Sequence, residues 1–116
     1  MNFMTVDVAL LAGYDEGPFY YFSGKGRRSN HSIEEAAAEL SLGIDIVADL
    51  TAWNDEYQDT LDQDYPPDSK FPTPEAEQAW REKGKELAVR IKQESPVVAS
   101  VDYQANGFYK DGTCVF

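Results

Sequence analysis

The chain has 116 residues, 42% of them hydrophobic, with seven Tyr, six Phe and two Trp, which is enough apolar surface for a core and excludes a disordered acidic tail. Its formal net charge of −11 repels nucleic acid and anionic membranes and attracts basic partners. A single cysteine, Cys114, excludes an internal disulfide and fits a reducing compartment.

Residues 3–12 (FMTVDVALLA) predict a strand, rich in branched and apolar side chains. This stretch has no basic flank, and Asp7 interrupts it, so neither a signal peptide nor a membrane span is expected and the protein should stay in the cytoplasm. Asp15, Glu16, Gly17 and Pro18 supply a turn, and FYYFS at 19–23 predicts the second strand of a hairpin. GKGRRSN at 24–30 reads as a polar loop. It lacks phosphate-loop spacing, and Lys25, Arg27 and Arg28 are left without an assigned role.

Ser32 and Glu35 have the spacing of a capping box and predict a helix over 33–40. After Gly43, the apolar residues Ile46, Leu50, Trp53, Tyr57 and Leu61 recur at helical spacing and predict an amphipathic helix over 44–62. DQDYPPDSKFP at 62–72 is a loop, with Phe71 expected to turn back into the core. Thr73 caps a third helix over 74–94, with Pro74 at its first position. Ala76, Trp80, Gly84, Leu87 and Ile91 line its inner face. A mid-helix glycine costs about 1 kcal/mol relative to alanine, so Gly84 suggests that another element approaches closely there.

The last third reads as β-structure. Val97, Ala99, Val101 and Tyr103 alternate toward one face, Asn106-Gly107 and Asp111-Gly112 supply turns, and TCVF ends the chain. The order ββ-ααα-βββ predicts one α+β domain over residues 1–116. An N-terminal hairpin, three helices and C-terminal antiparallel strands would form one sheet covered by the helices.

The charge is unevenly spread. Residues 29–69 contain eleven acids and no Lys or Arg, whereas the rest of the chain has ten acids and ten bases. At about 100° per residue, Asp45, Asp49, Glu56 and Asp59 fall in one narrow stripe of the second helix, with Asp55 and Asp62 on its flank. Like charges at i,i+4 destabilise a helix by about 0.2–0.5 kcal/mol per pair. A helix shaped for stability alone would intersperse lysines, as residues 74–94 do. These six carboxylates are therefore the expected partner-binding residues, and a basic protein surface is the expected partner.

Other candidate chemistry is weaker. His31, the only histidine, stands in a polar loop and reads as a surface residue, while Cys114 reads as a core residue. Asp59, Asp62, Asp64 and Asp68 miss the calcium-loop pattern, because Pro67 stands where glycine is needed. Glu34 and Glu35 complement a helix N-terminus. Trp53 and Trp80 read as core. Of the consecutive aromatics Tyr20, Tyr21 and Phe22, at least one must face outward. No constellation of an enzyme, metal site or cofactor site emerges, so a binding protein without cofactors is expected.

The stretch 40–94 resembles small bacterial immunity proteins paired with polymorphic and contact-dependent growth-inhibition toxins. The resemblance lies in a leucine-rich helix with Trp53 and Tyr57, then Leu61-Asp62. A loop with Pro67, Ser69 and Phe71 follows, then a helix with Gly84, Leu87, Ala88 and Ile91. It implies a monomer that neutralises a cognate toxin domain, many such toxins being nucleases with basic clefts, and implies no direct contact with nucleic acid or membrane. The alternative is an acidic nucleic-acid mimic that inhibits another DNA- or RNA-binding protein.

Overall fold

The computed structural model describes residues 5–22 and 29–116. The expected ends of the first two strands (residues 3, 4 and 23) and the basic stretch with Lys25, Arg27 and Arg28 lie outside the described residues. Strand β1 spans Val6–Leu11, β2 Phe19–Tyr21 and β3 Ser29–His31. Helices α1 (Ile33–Glu39), α2 (Ile44–Gln58) and α3 (Pro74–Glu94) follow, then strand β4 (Val98–Ala105). The α+β architecture is as expected, with one four-stranded sheet in the order β3-β2-β1-β4.

Two features of the sheet differ from the all-antiparallel expectation. β1 pairs antiparallel with β2, with Leu10 opposite Phe19, but parallel with β4, with Val8 opposite Val101 and Leu10 opposite Tyr103. A parallel neighbour requires a long crossover, and the three helices together provide it. The second difference is β3, which pairs with β2 (Phe19 with His31) inside the segment expected to be a loop.

The C-terminal residues form a strap rather than two further strands. Asn106-Gly107 and Asp111-Gly112 do turn the chain, and Gly107 and Gly112 adopt positive φ values of 99° and 78°. The returning segment then exchanges hydrogen bonds with β4: Val101 N donates to Phe116 O (3.0 Å), Phe116 N to Val101 O (2.9 Å), and Tyr103 N to Cys114 O (2.8 Å). The strict alternation expected from Val97 also breaks. A register shift between Val6 and Asp7 against β4 leaves Val98 buried and Ala99 exposed, while Val101, Tyr103 and Ala105 face inward.

The helices begin where the sequence predicts. Ser32 Oγ accepts from Glu35 N (3.0 Å), and Glu35 Oε1 accepts from Ser32 N (2.9 Å), which also holds the Glu35 carboxyl below its ordinary range. Thr73 Oγ1 accepts from Ala76 N (3.0 Å). α2 ends at Gln58, four residues short of the expected 62. There Thr60 N and Leu61 N tighten to i−3 carbonyls, and Thr60 Oγ1 donates back to Tyr57 O (2.6 Å). At the far end of the crossover, buried Ser95 donates through Oγ to Leu40 O (2.6 Å), tying the end of α3 to the end of α1.

Trp53 of α2 and Trp80 of α3 lock the two helices together. Their rings stack at 4.7 Å and 2°. Trp53 Nε1 donates to Trp80 O (3.0 Å), and Trp80 Nε1 donates to Trp53 O (2.8 Å). Tyr103 of β4 reaches the same stretch of α3 and donates through Oη to Arg81 O (2.7 Å). Gly84 makes room for all of this: a Cβ there would lie 2.7 Å from Trp53 Nε1 and would overlap the Tyr103 phenol.

Two stability predictions follow from this geometry. Gly84→Ala gains helix propensity but overpacks the site and strains two buried hydrogen bonds, so a net loss of about 2–4 kcal/mol is expected in urea unfolding. Asp102, buried on β4, has its carboxyl pushed up by burial and by the neighbouring Asp111 carboxyl, against the pull of Gly112 N–H and Gln104. A carboxyl raised on folding stabilises most below its unfolded value of 3.8, and that contribution disappears as pH rises through the folded value. Asp102→Asn should therefore raise the thermal midpoint at neutral pH and flatten the melting profile at pH values above 3.8.

Candidate functional site

The buried stripe of α2 is the expected one except for Leu61, which lies beyond the end of the helix. Ile46, Leu50 and Trp53 are almost fully buried and Tyr57 is half-buried. With that face set against α3, the opposite face points outward, and the six predicted carboxylates divide into two groups.

Asp45, Asp55, Glu56 and Asp59 are exposed, and none of them has an ion-pair partner among the described residues. Asp49 and Asp62 stand apart. Asp49 is half-buried against α3, where Arg90 Nη1 donates to its Oδ2 at 2.6 Å. That hydrogen bond holds the Asp49 carboxyl below its ordinary range, and the charges of Arg90 and Lys83 add to it. Arg90 also reaches Glu94 through Nε (3.1 Å), so it serves two acids at once. Asp62 lies beyond the end of α2. Its Oδ1 accepts from Asp64 N and Tyr65 N (3.0 Å each), which makes it a loop-ordering residue.

The narrow stripe is therefore three-quarters open: Asp45, Glu56 and Asp59 remain, with Asp55 beside them, while Asp49 is neutralised within the chain. The sequence contains no local signal for this. Asp49 and Arg90 are 41 residues apart and meet only because the tryptophan pair sets the rotation of both helices.

One other expectation needs correction. His31 is buried rather than a surface loop residue, at 5% exposure. Its ring stacks on Tyr21 at 3.7 Å, Nδ1 lies 2.9 Å from Ser29 O, and Nε2 lies 3.7 Å from Glu39. Tyr21 donates through its hydroxyl to Glu39, and burial followed by this carboxylate pushes the phenol pKa up. Among the consecutive aromatics, Phe22 faces solvent while Phe19 and Tyr21 are buried. Trp53 and Trp80 are core residues as expected, Phe71 packs on Trp80 with ring centroids 5.2 Å apart, and half-buried Cys114 packs against the core.

Among the described residues, no helix is long and apolar enough to cross a membrane, and no group of three or more His, Cys, Asp or Glu is placed to hold a metal ion. A family model described as Serratia CdiI immunity protein-like matches residues 6–106. No curated protein matches the chain.

The ion pair across the helices makes a direct prediction. In Arg90→Gln, the Asp49 carboxyl should titrate higher than in the wild-type protein, because the hydrogen bond and charge that lower it most are lost. Side-chain carbonyl NMR across an acid titration measures this. An unchanged Asp49 titration in that variant would mean that the ion pair is not formed in solution.

Proposed function

We infer function from one premise: the chain belongs to the Serratia CdiI immunity protein-like family, a contact-dependent inhibition immunity family. It protects the cell that makes it by binding a cognate toxin domain in the cytoplasm. It acts as a monomer, by occupancy, and without cofactor, metal or chemistry of its own. The toxin is a nuclease whose cationic substrate cleft accepts the outer face of α2, so Asp45, Asp55, Glu56 and Asp59 stand in for a phosphate backbone. Asp49 supports that face by tying α2 to α3 through Arg90, and Asp62 by ordering the loop beside it.

The observation that carries this reading is a set of exposed carboxylates along α2 and its end, none of them with an ion-pair partner among the described residues. Exposed acids that no lysine or arginine offsets weaken a helix slightly. They strengthen attraction to a basic surface, speed encounter with it and disfavour acidic competitors. Nothing specific favours the wider alternative, inhibition of some other nucleic-acid-binding protein, over a cognate toxin.

The test is co-expression with the product of the adjacent upstream gene, scoring growth rescue and co-purification. The complex should then weaken at least about tenfold between about 50 mM and about 500 mM salt, as solvent-exposed charge pairs are screened. D45N/D55N/E56Q/D59N should lose that salt dependence and protect poorly. A complex whose affinity ignores ionic strength defeats the acidic-face mechanism, and toxicity that co-expression leaves untouched defeats the immunity assignment.

A further inference from the structure

The end of α2 that carries Glu56 and Asp59 also forms one lip of a groove of about 550 Å³. It is lined by half-buried Phe71 and the edge of buried Trp80, by Ala76, Ala79 and Lys83 of α3, and by Lys70. The size lies within the range of pockets that hold a ligand group.

Three features distinguish this groove from an ordinary crease between helices. The first is that its floor is rigid. Trp80 is held by its indole hydrogen bond to Trp53 O and by stacking on Trp53, with Tyr57 and Phe71 at 5.4 and 5.2 Å on its other contacts. A pocket with a locked floor does not collapse when empty, and an occupant need not order it on binding. The second is that its α3 side is small: Ala79 is exposed beside half-buried Phe71. The third is that its acidic lip is continuous with the open carboxylates of α2, and neither Glu56 nor Asp59 is ion-paired among the described residues. Of the two lysines that also line the groove, Lys83 lies 3.8 Å from Glu86 and Lys70 is exposed.

We propose that this groove is the anchor point for the toxin and takes one apolar or aromatic side chain flanked by a lysine or arginine. The apolar group lies over Phe71 and Ala79, and the cation meets Glu56 and Asp59. This rests on the immunity reading for the identity of the partner, while the chemistry of the occupant follows from the groove itself. Buried aromatic and arginine anchors carry most of the energy of protein interfaces, and the surrounding charges mainly exclude water and select the partner.

The test combines two variants with a pair of peptide probes. Ala79→Trp fills the groove from an exposed position, so the fold should melt as wild type while affinity for the upstream-encoded toxin domain falls at least about 30-fold. D45N/D55N leaves the groove untouched and should mainly slow association. In a toxin-free arm, Ac-Arg-Phe-Arg-NH2 should shift the amide resonances of Ala76, Ala79 and Trp80 in the wild-type protein but not in Ala79→Trp, and Ac-Glu-Phe-Glu-NH2 should leave them in place. Undiminished toxin affinity in Ala79→Trp with a loss in D45N/D55N overturns the groove and keeps the acidic face. Undiminished affinity in both variants overturns both. A peptide arm in which neither peptide binds, or the acidic one binds better, overturns the anchor chemistry whatever the toxin does.

Discussion

Two indole N–H groups, each donating to the other tryptophan's backbone carbonyl, set the geometry on which the rest of this protein depends. A buried indole donor without a partner carries a desolvation penalty of about 1–3 kcal/mol. The reciprocal bonds between Trp53 and Trp80 remove that penalty twice and fix both the separation and the rotation of α2 and α3. Ordinary apolar packing would tolerate a small slide of one helix along the other. This arrangement does not, because a slide would break both bonds at once and unstack the rings. Gly84 and Tyr103 extend the same constraint to the sheet, since the phenol can reach Arg81 O only where α3 has no side chain in the way.

Fixing the rotation of α2 decides which carboxylates work outside the molecule. On a helical wheel, Asp49 is simply one member of the acidic stripe. In three dimensions it lies at the edge where α2 meets α3, within reach of Arg90, and the residues on the far side of the stripe stay open. A rotation of α2 by one residue, about 100°, would exchange these roles. The same rotation holds Glu56 and Asp59 at the lip of the groove above Trp80. Core packing and surface electrostatics are thus two consequences of one interaction.

This division explains what was legible in the sequence. The recurrence of Ile46, Leu50, Trp53 and Tyr57, the Ser32–Glu35 capping box and the Thr73-Pro74 start are local patterns whose physics acts within a few residues, and they located the helices. Gly84 was legible too, because a mid-helix glycine needs a reason. The parallel pairing of β1 with β4 was not, since alternation shows which face of a strand is buried but says nothing about its neighbour. The polar segment Ser29–His31 became a strand only because β2 offered an edge, and His31 was buried only because Tyr21 offered a ring. Among the predicted site residues, the exposure of Asp45, Asp55, Glu56 and Asp59 could be read from helical phase. The capture of Asp49 and the loop role of Asp62 depended on contacts and on a helix end that phase cannot supply.

The energetics of exposed charge explain why an acidic face alone would make a poor inhibitor. Each solvent-facing ion pair contributes about 0–1 kcal/mol, and at physiological salt its influence fades over about 8 Å. Four such carboxylates can accelerate and orient an encounter, but they cannot by themselves hold a lethal partner for long, because dissociation is governed by contacts that exclude water. A protector must remain bound for longer than the time its target needs to act. Slow release therefore calls for a desolvated contact beside the charged one. In this fold the place where open carboxylates adjoin an apolar surface is the junction of α2 and α3, where Glu56 and Asp59 share a groove with Phe71 and Ala79. The tryptophan bracket that sets the acidic face outward also backs Phe71, which packs on Trp80.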